Sequence, residues 1–241
     1  MKLAILAIIV QAGATSPAPA AKRPSVTILS RSEASSTVRR LRVIVRIDPH
    51  APIKSIRIAN VIESIQEIWR PYAEIDFAET GSVTAATYDD ELRLVITDRA
   101  RPPGSATAAT LGWIEFFDGR PRNTITVSVA AARTLMSRGE WLGRPIEALP
   151  PSFQQRFVTR VLSRSAAHEI GHYLLRSPTH AAHGLMRERM TVNEVMDDAP
   201  ELCRLLPSEI AWLDQVLSGA LAEAPAADPH NMIIPPHDRK S

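Results

Sequence analysis

The stretch PSFQQRFVTRVLSRSAAHEIGHYLLRSPTHAAHGLM, residues 151–186, decides how the chain is read. Pro151 suits the first turn of a helix, and nothing interrupts the pattern until Ser177 and Pro178, so a helix is predicted over 151–176. At four-residue steps Val158, Leu162, Ala166, Ile170 and Leu174 form an apolar stripe fit to pack on a sheet. A neighbouring row runs through Phe157, Val161, Ser165, His168 and His172, becoming polar toward its end. That polar end is expected to point away from the core.

On the same helix His168, Glu169 and His172 spell the pattern H-E-x-x-H. Residues four apart stand one above the other at about 5–6 Å, which lets two imidazoles share one ion. Glu169 lies about 100° round the helix, placed to reach a water on that ion without being a ligand. Imidazole nitrogen suits zinc, and catalytic zinc sites combine three protein ligands with a water, so one catalytic Zn2+ is the expected cofactor. For the third ligand the chain offers two candidates. His180 lies just beyond the helix end, ahead of Gly184, Leu185 and Met186; Glu194 lies in the acidic group Glu194, Asp197 and Asp198. His183 reads as a solvent-facing loop residue, and His50, His230 and His237 as unconnected with the site.

Working outward, 41–47 alternates with the period of a strand. Within 52–69, Ile58, Val61, Ile62, Ile65, Ile68 and Trp69 recur at helical steps behind Pro52. Strand-like runs follow at 73–77, 92–97, 111–117 and 123–129, the last two forming a hairpin across Asp118, Gly119, Arg120 and Pro121. The stretch 130–150 is mixed. A last helix is predicted over 208–218, with Ser208 as its N-cap and Gly219 behind it. This order predicts an α/β (α+β) sandwich: one twisted mixed sheet of about five strands, a backing helix, the long active-site helix and a small C-terminal helical subdomain.

The segment HEIGHYLLRSPTHAAHGLM resembles the active site of the metzincin clan, which includes the matrix metalloproteases and the archaemetzincins. The clan's pattern is H-E-x-x-H-x-x-G-x-x-H followed by a tight turn bearing methionine. The resemblance implies His168, His172 and His180 as ligands, Glu169 as general base and Met186 as the Met-turn residue. It also implies that the strand at 111–117 lies at the sheet edge above the cleft and pairs with an extended substrate. Leu175 stands where the clan has glycine, and His180 comes two residues later than the usual third histidine, so the turn must be made by residues 176–179. Asn193, Glu194 and Asp198 are in turn similar to the N-E-x-x-x-D ligand helix of thermolysin-like zinc peptidases, the alternative in which Glu194 is the third ligand. His180 is preferred, because 190–198 forms no strong amphipathic pattern. The implied activity is that of a zinc metalloendopeptidase acting on peptide or protein substrates. A non-catalytic secreted zinc-binding interaction protein is the rival reading, and His183 as a fourth ligand would favour it.

The remainder of the chain fits an exported hydrolase. Lys2 and the apolar run 3–10, followed by small residues, read as a signal peptide over 1–20. That run is well short of the roughly 20 apolar residues that span a bilayer, so no stable membrane association is expected. Residues 21–37 read as a linker or short pro-segment, 38–219 as the zinc metallopeptidase domain and 220–241 as a disordered tail. The expected location is secreted or periplasmic, and the expected state a monomer. Cys203 has no disulfide partner in the chain and reads as a small buried hydrophobe. No cysteine in 15–37 could serve as an inhibitory zinc ligand, so activity is expected to be constitutive after export. A net charge of +2 gives no reason to expect nucleic acid as a partner.

Overall fold

Leu41 and Val43, then Leu92, Leu94 and Ile96, are buried at alternate positions with the more exposed Arg42, Arg93 and Val95 between them, so each strand turns one face to the core. The structure, a computed structural model, describes residues 3–7, 9–11, 40–51, 56–79, 90–100 and 110–218. The linker at 21–37 and the tail at 220–241 lie outside the described residues, as does the start of the first predicted helix at 52–55.

In chain order the elements are β1 (Leu3–Ala7), β2 (Ile9–Gln11), β3 (Arg40–Ile47), α1 (Ile58–Trp69), β4 (Glu74–Glu79), β5 (Asp90–Thr97), β6 (Gly112–Phe117) and β7 (Arg120–Ser128). There follow α2 (Val129–Arg138), a minimal hairpin β8 (Glu140–Trp141) and β9 (Arg144–Pro145), and α3 (Pro151–Leu175). Last among the described residues come β10 (Arg189–Thr191), α4 (Val192–Met196) and α5 (Pro207–Leu217). The fold is an α/β sandwich on a mixed sheet of order β1-β6-β7-β5-β3-β4. Strands β4, β3, β5 and β7 are parallel, and β6 and β1 run antiparallel to their neighbours.

Local chemistry accounts for the joints. The β6–β7 turn is only two residues, Asp118 at φ 47° and Gly119 at φ 76°, the left-handed pair that matches the twist of a tight hairpin. Arg120 and Pro121, read from the sequence as turn residues, therefore belong to β7. Helix α2 resolves the mixed stretch after 129, and the Ser128 hydroxyl caps it by accepting from Ala131 N at 2.9 Å. At α5 it is Pro207, not Ser208, that opens the helix, with Leu206 in the cap position and Glu209 accepting from its N–H.

Helix α3 departs most from expectation. The row that turns polar does not face solvent: Ser163, Arg164, Ser165, His168, Glu169 and His172 are all buried. The helix is enclosed because α1, α2, α4 and α5 pack around it while β6 and β7 lie along it. On the α1 side the Trp69 indole N–H donates to Ala167 O at 3.1 Å. Arg160 and Arg164 reach the other way to α4: Arg160 donates to Met196 O at 2.5 Å and pairs with Asp198, and Arg164 donates to Glu194 O and, at 2.7 Å, to Asp197 O. These arginines satisfy carbonyls that a helix end leaves unpaired.

Candidate metal centre

The end of α3 is set by Arg176, which takes the left-handed conformation at φ 48° and lets the chain reverse toward 177–187. The reversing residue thus stands one position after Leu175. Ser177 N bonds back to His172 O at 3.3 Å, and Ala181 N to Met186 O at 2.9 Å, closing a loop over the helix end. This loop brings His180 to His168 and His172, with ring centroids 5.2 and 5.0 Å away, and the three residues' candidate ligand atoms all lie within 4.8 Å of one another.

Hydrogen bonding fixes how the two helical imidazoles face. His168 Nδ1 is 2.8 Å from Leu185 O and His172 Nδ1 is 2.8 Å from Ser177 O. A carbonyl only accepts, so each Nδ1 carries the proton and each Nε2 presents a lone pair. The two Nε2 atoms are 2.9 Å apart. Burial, their largest influence, and the neighbouring imidazoles lower the pKa of His168 well below the usual range, and burial likewise brings His172 to about 3. Both rings are therefore neutral near pH 7, and two lone pairs point at each other. A cation between them relieves that repulsion, and carbonyl-held Nδ1–H groups are the usual outer support of metal-bound histidine. His180 Nε2 has no hydrogen-bond partner, a third donor left for the same ion. The residues fit zinc by donor type and number.

Glu169 is fully buried, and neither of its carboxylate oxygens has a hydrogen-bond partner. Desolvation raises its pKa well above the ordinary carboxylate range. It lies under the start of β6, where a Cβ on Gly112 would come within 3.2 Å of Glu169 Cγ and 3.3 Å of Oε1. The sequence reading passed over Gly112. A glycine opening an apolar strand was the available signal, since such glycines mark close approach of other groups. Phe116, on the same strand, stands edge-on to His172 with centroids 6.4 Å apart.

Met186 is buried, and its sulfur occupies the space a side chain on Gly171 would need: an added Cβ would lie 2.2 Å from Sδ and 3.5 Å from Trp69 Cζ2. Gly171→Ala is expected to destabilise the fold. Overpacking of this kind costs roughly 1–3 kcal/mol, more than the about 1 kcal/mol that alanine gains over glycine in a helix. A lowered thermal midpoint checks it.

Glu194 is placed elsewhere. Its carboxylate accepts from Arg187 Nη1 at 2.6 Å and from Thr191 N and Oγ1 at 2.7 and 2.9 Å, a capping box that starts α4. It is not among the clustered ligand atoms. His183 is exposed and also outside the cluster, and His50 is exposed. Cys203, expected to be buried, is only partly so, and desolvation raises its thiol pKa.

No protein-family model matches the chain, and no curated protein matches it. Among solved structures it is similar to archaemetzincin from Methanopyrus kandleri, at 15% identity and a TM-score of 0.45, over 78% of this chain and 99% of that one. It is also similar to a zinc-dependent peptidase from Methanocorpusculum labreanum, at 13% identity and a TM-score of 0.42, over 72% of this chain and 99% of that one.

Proposed function

We propose that the protein is a zinc-dependent endopeptidase whose ion is held by His168, His172 and His180 and whose general base is Glu169. The observation that carries this reading is the pair of Nε2 lone pairs facing each other beside a third free imidazole nitrogen and an unpartnered buried carboxylate. When bound, zinc supplies Lewis acidity and brings the pKa of water down toward about 7. The rest falls to the chain's own groups. Glu169, free of competing hydrogen bonds, accepts a proton from the attacking water and passes it to the departing amine. Burial without a partner raises its pKa above the ordinary carboxylate range, which makes it a stronger proton acceptor. Leu185 O and Ser177 O hold the two helical imidazoles in the orientation that binding needs.

A closed structural site is less well supported. It would need a fourth protein ligand, and among the described residues His183 stands outside the cluster. Treatment with a chelator is expected to abolish turnover of a quenched-fluorescent peptide library, and added zinc to restore it. Failure to cleave any member of the library with zinc present would count against the reading.

The same proposal places the enzyme outside the cytoplasm, with 1–20 as leader, on the strength of Lys2 and the apolar run after it. Fractionation of expressing cells and N-terminal sequencing of the exported product would check this.

A further inference from the structure

The structure assigns an occupant to the groove over the three histidines: the chain's own N-terminal segment, bound as an extended peptide. Leu3–Ala7 lies antiparallel on β6, from Leu3 opposite Phe117 to Ala7 opposite Trp113. Two residues on, Ile9–Gln11 runs parallel to β10, from Ile9 opposite Arg189 to Thr191 opposite Gln11. The two ladders flank the candidate metal centre. Trp113 is next to Gly112, which stands over Glu169, and Phe116 touches His172. On the other side, β10 follows four residues after Leu185, whose carbonyl holds His168. The segment thus lies along β6 at residues 3–7 and along β10 at residues 9–11, two strands whose neighbouring residues belong to the candidate metal centre.

This arrangement fixes what the groove takes. A strand added to a sheet edge gains affinity from main-chain bonds whatever its side chains, and the added strand covers an edge that would otherwise present unpaired groups. Residues 3–10 carry no charge, so the ligand class is an uncharged, extended peptide held by its main chain. Its direction is set as well: its chain runs from the Phe117 end of β6 toward Gly112, then from Arg189 toward Thr191. Resting on the peptidase reading, the segment is an intramolecular competitor of substrate, and the chain that retains it is silent. On the export reading, removing the leader frees the groove, so that departure from the cytoplasm and onset of activity are one event.

The test uses the full, zinc-loaded chain and the variants Ile5→Pro and Leu6→Pro. Adjacent strand residues present their N–H groups to opposite sides, so one of these prolines removes a ladder bond to β6. Residue-resolved amide exchange should show every amide of β6 protected in the parent chain. In one proline variant the β6 amides that face away from β7 should exchange at least tenfold faster, with α3 unchanged as a control for folding. Turnover of an apolar quenched peptide should rise at least tenfold in that variant, and a synthetic peptide of residues 1–12 should suppress it. Unprotected alternate β6 amides in the parent overturn the inference without any variant, as does turnover by the parent equal to that of both variants. If no chain cleaves any peptide but the exchange pattern changes as stated, the peptidase reading fails while occupancy of the groove stands.

Discussion

A Glu169→Gln chain is expected to keep its zinc and lose about a hundred- to ten-thousand-fold in turnover, the range supplied by a positioned general base. The amide has nearly the shape of the carboxylate, so the packing against Gly112 survives. It cannot take up a proton, so the step lost is proton acceptance. The carboxylate is also the costly form at this buried position, since desolvation raises its pKa and no partner offsets it. The variant should therefore unfold at a higher temperature than the parent in the metal-free state. Loss of activity together with retained zinc and undiminished stability is the signature of a catalytic base. Full activity in the variant would assign the buried carboxylate another role and sink the mechanism.

The second large effect concerns the ion. His172→Ala removes the imidazole that meets His168 Nε2 at 2.9 Å, and His180→Ala removes the donor brought in by the loop. Either variant is expected to fall to background zinc content after dialysis, measured by elemental analysis, and to be inactive. Glu194→Ala, run alongside, should retain zinc and instead lose stability, about 1 kcal/mol for a lost cap and more for the uncompensated Arg187. If zinc left with Glu194→Ala and stayed with His180→Ala, the ligand set would be that of the thermolysin-like alternative.

Much of this was legible in the sequence because periodicity and spacing are local. The alternation at 41–47 corresponds to β3, the helical steps ending at Trp69 to α1, and Pro151 with Ser177 and Pro178 bound α3 nearly to the residue. His168, Glu169 and His172 are a helical motif, so their relative placement followed from helix geometry alone. What the sequence did not yield depends on contacts between distant segments. The burial of the polar row on α3 arises because other helices surround it, which no window of α3 itself encodes. The capping box of Thr191 and Glu194 is a local pattern that the reading passed over, whereas the pairing of Glu194 with Arg187 crosses a turn. Helix α4 is too short to show a period. Pairing of residues 3–7 with β6 joins segments more than a hundred residues apart, and the apolar run that does it reads equally well as an export leader.

The two carbonyls that orient His168 and His172 belong to Leu185 and Ser177, both beyond the end of α3. If an ion is held there as proposed, its capture and the ordering of the 176–187 loop are coupled. Any ligand that binds only the folded arrangement stabilises it by about 1.4 kcal/mol for each tenfold rise above its dissociation constant. On the proposed zinc site, resistance of the 176–187 loop to proteolysis is therefore expected to rise with the zinc supply.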